Sequence, residues 1–496
     1  MATPNLSYLA RQRAKVRSMR CVLVGIAGLA LGAFGACGDN IEGTPPTFVE
    51  QLGSLPGVTV TEMDTETSGY VYYVLHFTQP VDHEDPDGPT FQQEVSLIHR
   101  DPTAPMIVQT SGYWDYYLDT PVELTRMLLA NQISIEHRFF GESRPEPADW
   151  SKCTIEQMAA DQHAIIAALR TVYDGAFVTT GGSKGGMTAI YHRRFYPDDV
   201  EGTVPFVAPI SFGAPDPRYE PYLDTLGPST CRTQVRAVAT ELLANRRAML
   251  ETEATAEAAQ RGLAYTRIPI PLAVESSVVS LEWAFWQYRG VGACSDVPAA
   301  TASDAALWSF IADTSPVSDN ADDSVAQFEA YYYQAYNQLG FPAGGAAYLD
   351  PYTQYTDDDY LAALPVEAPA YDGGAAMADI DHWVQTEGQG LAFIYGQWDP
   401  WTGGAFTLGA ATDSVLVVQA QGTHGARIGR LAEPDKQAVL TKLAAWTGVQ
   451  PFVPQSARER GTDRVVEPRV PPAMRQRAVR RASTLGVSRA VSSRHE

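Results

Sequence analysis

The sequence predicts an α/β fold, a mostly parallel sheet wound by helices and split by a long helical insertion. Three observations lead there. From about residue 60 to 212, short apolar, β-branched runs alternate with helical segments; such alternation gives parallel strands joined by right-handed crossovers. The rhythm then stops, and residues 213–384 read as successive helices rich in aromatics. Strand character resumes over 385–450. The predicted organisation is a leader (1–37), a linker (38–59), a first sheet part (60–212), a helical cap (213–384), a second sheet part (385–450) and a disordered basic tail (451–496).

The leader carries Arg11, Arg13, Lys15, Arg17 and Arg20 ahead of the apolar run Cys21–Ala36. That run is shorter than the roughly 20 residues of a membrane span and has the pattern of an export signal. Phe34-Gly35-Ala36-Cys37 places small residues before a cysteine, as in a bacterial lipoprotein processing box, so Cys37 is a lipidation candidate. Plain cleavage near Ala36 and an uncleaved anchor are the alternatives. Each exports the chain, as a cell-envelope lipoprotein or a secreted protein, into an oxidising compartment. Membrane contact is expected only through such an anchor.

In the first sheet part, Tyr70–Phe77 and Phe91–His99 flank a breaker-rich turn and are predicted to pair antiparallel at a sheet edge. Met106–Thr110, Ile133–His137, Phe177–Thr180 and Val204–Ala208 are buried-type strands. Between them, 122–130, 154–172 and 187–195 read as helices, with Thr154 as a cap and Met158, Ile165, Ile166 and Leu169 as an apolar stripe. In the insertion, helix is predicted throughout 232–262 and again over 276–288, 303–313 and 324–339. Leu391–Tyr395 and Ser414–Val418 are the returning strands, and a helix over 434–446 closes the body. The tail is rich in Pro, Arg and Ser and poor in large apolar residues, a composition that does not build a core.

The net charge is −22, yet the leader and the tail are both basic, so the body between them is more acidic than the whole. A surface of that sign repels nucleic acid, which excludes nucleic-acid binding. Outside the leader the cysteines are Cys153, Cys231 and Cys294. Cys231 and Cys294 both fall in the insertion and are the disulfide candidate, which leaves Cys153 free. No zinc, phosphate or dinucleotide motif stands out, so neither metal nor cofactor is expected.

The chemistry centres on Gly181-Gly182-Ser183-Lys184-Gly185, a G-x-S-x-G run between a predicted strand and a predicted helix. That context makes it a nucleophile elbow of the α/β-hydrolase fold, in which a tight turn lifts the serine clear of the sheet. The triad partners follow in the order Ser, acid, His. Asp399 ends the strand at 391–395, and His424 follows the strand at 414–418. Ser183, Asp399 and His424 are the predicted nucleophile, orienter and base. The oxyanion hole is expected from the backbone N–H of Lys184 and one from the loop after Thr110, at Gly112 or Tyr113. The Lys184 side chain is expected to face solvent.

The runs Thr180–Ala189, Tyr191–Asp199, Glu136–Ser143 and Asp399-Pro400-Trp401 carry a family resemblance. The first two resemble the secreted bacterial prolyl tripeptidyl/tetrapeptidyl aminopeptidases. The last two resemble the more distant prolyl carboxypeptidases and their dipeptidyl-peptidase relatives. The resemblance spans about 60–450 and implies a serine exopeptidase acting on peptides with a free N-terminus, often after proline, beneath a helical cap. A free ammonium needs a carboxylate. Glu136 and Glu142 are candidates, against internal pairing with Arg138 or Arg144, and Glu282 is a third. Trp283, Phe285 and Trp286 either line an apolar proline pocket or form the core of the cap. A carboxylic-ester hydrolase and a non-catalytic surface binding protein remain the alternative functions.

Overall fold

A computed structural model of the chain describes residues 46–342, 346–355, 359 and 370–453. The leader, Cys37, the start of the linker and nearly all of the tail lie outside the described residues. In chain order the elements are α1 (Phe48–Gly53), β1 (Val58–Met63), β2 (Val71–Pro80), β3 (Thr90–His99), β4 (Met106–Thr110), α2 (Glu123–Leu128), β5 (Asn131–Ile135), α3 (Ile155–Leu169), β6 (Phe177–Gly182), α4 (Lys184–Phe195) and β7 (Gly202–Phe206). The insertion holds α5 (Tyr219–Leu223), α6 (Ser229–Asn245), α7 (Arg247–Arg261), α8 (Ile270–Val279), α9 (Leu281–Ala284), α10 (Asp304–Thr314), α11 (Asp322–Gln327) and α12 (Glu329–Gln334). After it come α13 (Ala375–Thr386), β8 (Ala392–Gly396), β9 (Val415–Gln419) and α14 (Glu433–Thr447).

The strands form one nine-stranded sheet in the order β1-β2-β3-β5-β4-β6-β7-β8-β9. From β1 to β5 the pairing is antiparallel. From β5 through β4, β6, β7 and β8 to β9 it is parallel. Alternate residues of the parallel strands serve the two faces. Ile107, Val178, Val204, Ile394 and Val417 pack with α2 and α14. Met106, Val108 and Phe177 pack with α3, and Phe393 and Tyr395 with α4 and α13. This is the α/β-hydrolase fold read from the strand pattern.

Three features depart from the predicted organisation. The described part of the linker is not a linker. Thr47 caps α1 through a reciprocal capping box with Glu50, the Thr-x-x-Glu signal of a helix start, and β1 then pairs along β2. The helix expected throughout 232–262 breaks at Arg246, whose φ of −120° is not helical. The segment α13 was assigned to the cap by position, but Met377, Ile380, Trp383 and Val384 pack on the sheet side with Ile190 and Phe393, so it belongs to the sheet layer.

The remaining insertion builds its own core around Leu242, Val278, Phe285, Trp286 and Phe310, and this core continues into Tyr113, Phe140 and Trp401 at the sheet edge. A disulfide joins Cys231 of α6 to Cys294 across 63 residues of sequence. Cys153 is a buried free thiol. Among the described residues no helix is long and apolar enough to cross a membrane.

Candidate active site

Ser183 stands between β6 and α4 with φ +53° and ψ −124°. An L-residue adopts a positive φ at a cost, and such strain persists only where the surroundings enforce it. Its N–H donates to the Phe206 carbonyl at 2.9 Å, tying the turn to β7. The neighbouring glycines are required by space. A Cβ on Gly181 would lie 2.4 Å from the Gly185 carbonyl carbon, and one on Gly185 would lie 2.1 Å from the Thr110 oxygen. The sheet end thus closes around the turn, and only hydrogen fits at either flank.

Asp399 lies just past β8 and is fully buried, and His424 lies in the loop after β9 at 3% exposure. His424 Nδ1 and Asp399 Oδ2 are 2.6 Å apart. The carboxylate oxygen accepts, so Nδ1 carries the proton and Nε2 is the basic nitrogen. Asp399 Oδ1 also accepts from the Trp401 N–H at 3.2 Å. The cap reaches this pair directly. The His424 N–H donates to the Gln287 carbonyl at 3.0 Å, and the rings of Tyr288 and Trp401 lie 6.3 and 6.4 Å from the imidazole. The structure therefore joins Asp399 to His424, and both lie past the same, carboxyl, end of the parallel strands as Ser183.

The expected oxyanion loop follows β4. The Tyr113 N–H donates to Ser111 Oγ at 3.0 Å, and Ser111 Oγ also lies 2.9 Å from the carbonyls of Tyr113 and Trp114. The Tyr113 N–H is thus engaged, leaving Gly112 of the two expected donors. Gly112 sits at φ +75°, and a Cβ there would lie 2.9 Å from Lys184 Cγ and Gly185 N. Only glycine lets this loop rest on the first turn of α4.

The Lys184 side chain does not face solvent. It is buried at 3% exposure, and Nζ donates to the Gly112 carbonyl at 2.5 Å. Nζ lies 5.3 Å from the Tyr113 ring centroid and 5.4 Å from that of Phe140, within cation–π range. Burial lowers its pKa to about 7, with Cys153 nearby acting weakly in the opposite direction. His137, also buried, is held well below the usual imidazole range by burial and by Lys184. Solvent exposure was expected because lysine rarely buries unpaired, but the 111–113 loop and Phe140 cover the start of α4.

Glu136 is not open to a ligand. Oε1 accepts from the N–H groups of Glu142 and Ser143 and from Ser143 Oγ, and Oε2 accepts from the Asp115 N–H, all between 2.9 and 3.0 Å. It organises two loops, and burial raises its pKa. Its partners are three backbone N–H groups and the Ser143 hydroxyl rather than the expected arginines. Arg138 pairs instead with buried Asp161 at 2.6 Å, and Arg144 meets Glu329 at 3.4 Å. Glu142 is exposed. Glu282 is buried, with both oxygens on Arg236 Nε at 2.8 and 2.9 Å, and burial raises its pKa to about 7.

Trp283 and Trp286 are both buried in the core of the cap. Trp283 stacks edge-on with Trp401, 5.3 Å between centroids, and its Nε1 donates to Gln287 Oε1. Trp286 packs against Phe285 and Trp398. Of the two expected roles, their burial and ring contacts fit the core of the cap. Sequence reasoning missed the Lys184 side chain, the Ser111 bracket, the organising role of Glu136, and Gln287. One signal was legible: a lysine in the first turn of a helix opposes the helix dipole and needs a specific reason to be there.

A family model described as PS-10 peptidase S37 matches residues 46–485. The prolyl tri/tetrapeptidyl aminopeptidase of Streptomyces mobaraensis is 36% identical over 446 residues, which cover 88% of this chain and 93% of that protein. The lysosomal Pro-X carboxypeptidase of Mus musculus is 31% identical over 191 residues, 34% of this chain and 38% of that protein. With a serine elbow on an α/β-hydrolase sheet and a family match over most of its length, the chain belongs to the PS-10 peptidase S37 family of serine peptidases.

Proposed function

We propose that this peptidase is an exported aminopeptidase that releases short peptides from free N-termini, favouring proline at the cleaved bond. The observation that carries the reading is the buried Asp399–His424 pair, 2.6 Å apart, at the strand ends beyond which the Ser183 elbow also lies. In this reading Ser183 Oγ attacks the scissile carbonyl carbon and its proton passes to His424 Nε2. The C–N bond then breaks, and the leaving amine takes that proton. Water, deprotonated by His424, attacks the acyl-enzyme and frees Ser183. Asp399 holds the imidazole orientation and stabilises its cation. The Lys184 and Gly112 N–H groups receive the developing oxyanion.

The preference for short peptides ending in proline is supported by the similarity to the Streptomyces mobaraensis enzyme. Export is supported by the basic and apolar halves of the leader, with Cys37 as the proposed lipidation site. The test compares Ala-Ala-Pro-arylamide with its N-blocked form and with simple aryl esters, using Ser183→Ala as the control. The expected result is release of arylamine from the free peptide and its loss on N-blocking. Equal cleavage of the blocked peptide, or turnover of esters alone, overturns the aminopeptidase reading.

A further inference from the structure

We propose that the Lys184 side chain is a positioning residue for the oxyanion hole, its Nζ clamping the 111–113 loop onto the helix that carries the other donor. The proposal rests on the Ser183 mechanism above.

The geometry is specific. Residue 184 contributes one expected donor through its own backbone N–H. Its side chain then folds back to bind the carbonyl of Gly112, the residue expected to supply the second donor. The peptide unit between Gly112 and Tyr113 is held at both edges, by Lys184 Nζ on its oxygen and by Ser111 Oγ on its N–H. The preceding peptide unit, whose N–H belongs to Gly112, is fixed between that clamp and the end of β4. One residue thereby sets the spacing of both halves of the hole.

The choice of residue makes little sense as a stability device. Among the described residues, no carboxylate forms an ion pair with Lys184; its neighbours are a carbonyl, two aromatic rings, a buried thiol and a buried imidazole. An amine buried without a counter-charge is costly, and an apolar side chain of similar length would serve packing better. Either protonation state of Nζ keeps an N–H for the Gly112 oxygen, so the clamp does not require the charged form.

The test separates transition-state from ground-state binding. Ala-Ala-prolinal would add Ser183 Oγ to its aldehyde carbon, placing the former carbonyl oxygen in the hole. The product Ala-Ala-Pro binds without that bond. In Lys184→Met the affinity for the aldehyde should fall about 10- to 100-fold, below the roughly 100- to 1,000-fold of deleting a donor outright. Affinity for the product should stay within about two-fold, and kcat for Ala-Ala-Pro-arylamide should fall with KM little changed. The melting temperature should be equal or higher. Lys184→Arg, which keeps a donor, should recover most of the aldehyde affinity. Unchanged aldehyde affinity in Lys184→Met overturns the clamp, as does a parallel loss of both affinities with a lowered melting temperature in both variants. Wild-type protein that binds the aldehyde no better than the product overturns the Ser183 mechanism and the clamp with it.

Discussion

At the scale of single residues, one carboxylate oxygen decides which nitrogen of His424 is basic. Asp399 is fully buried, and its second oxygen is already occupied by the Trp401 N–H. Replacing it with asparagine keeps the shape but presents an amide N–H, or at best a weaker acceptor, to Nδ1. Asp399→Asn should therefore lower kcat by about 10⁴ with near-normal folding, measured by arylamide turnover beside circular dichroism. A drop of less than about ten-fold would remove Asp399 from the mechanism. Lys184 supplies a second test at this scale. Burial holds its pKa at about 7 against an ordinary 10.5, so between those values the unfolded chain carries a proton that the folded chain lacks. Stability should thus rise with pH across that window relative to Lys184→Met, and flatten above it. Denaturant midpoints of the two proteins between pH 7 and 10.5 check this; a constant difference contradicts it. The strand-end positions of Ser183, Asp399 and His424, and the pairing of the last two, were legible because chain order and strand ends restrict the options. The surroundings of Lys184 and Glu136 were not, because their hydrogen-bond partners come from loops whose positions depend on how distant parts of the chain meet.

At the scale of elements, strands were easier to place than helix ends. Met106–Thr110 was read as it stands, since a buried run of β-branched and apolar residues has little other choice. The break at Arg246 left no such mark, because Ala244-Asn245-Arg246-Arg247 holds neither glycine nor proline. At the break Arg246 reaches Glu241 at 2.9 Å and Asp304 at 3.2 Å, linking α6 to α10. The cap is also tied covalently. Its disulfide spans 63 residues, including α6, α7, α8 and α9. The Cys231→Ser/Cys294→Ser variant should lose about 2–5 kcal/mol of stability. Because the Gln287 carbonyl binds the His424 N–H, it should lose activity at a lower temperature than the sheet unfolds. Near-ultraviolet and far-ultraviolet melting curves followed beside activity check this; three coincident transitions shifted by less than about 1 °C contradict it.

At the scale of the whole molecule, the candidate active site lies where the sheet layer meets the cap. The sheet supplies Ser183, Asp399 and His424 at the ends of parallel strands, where this fold places functional groups. The cap supplies Gln287, whose carbonyl accepts from the His424 N–H, Tyr288 beside the imidazole, and Trp283 packed on Trp401. The division into sheet and cap was readable from periodicity, but the assignment of α13 was not, because an amphipathic helix does not reveal which layer its apolar face meets. The account stands on Ser183 being activated by His424. The most direct measurement is labelling of the folded protein with a fluorophosphonate, followed by peptide mapping. A single adduct on Ser183, absent in Ser183→Ala and slowed by at least about 100-fold in His424→Ala, is the predicted result. An adduct on another residue, or equal labelling of wild type and His424→Ala, would contradict it.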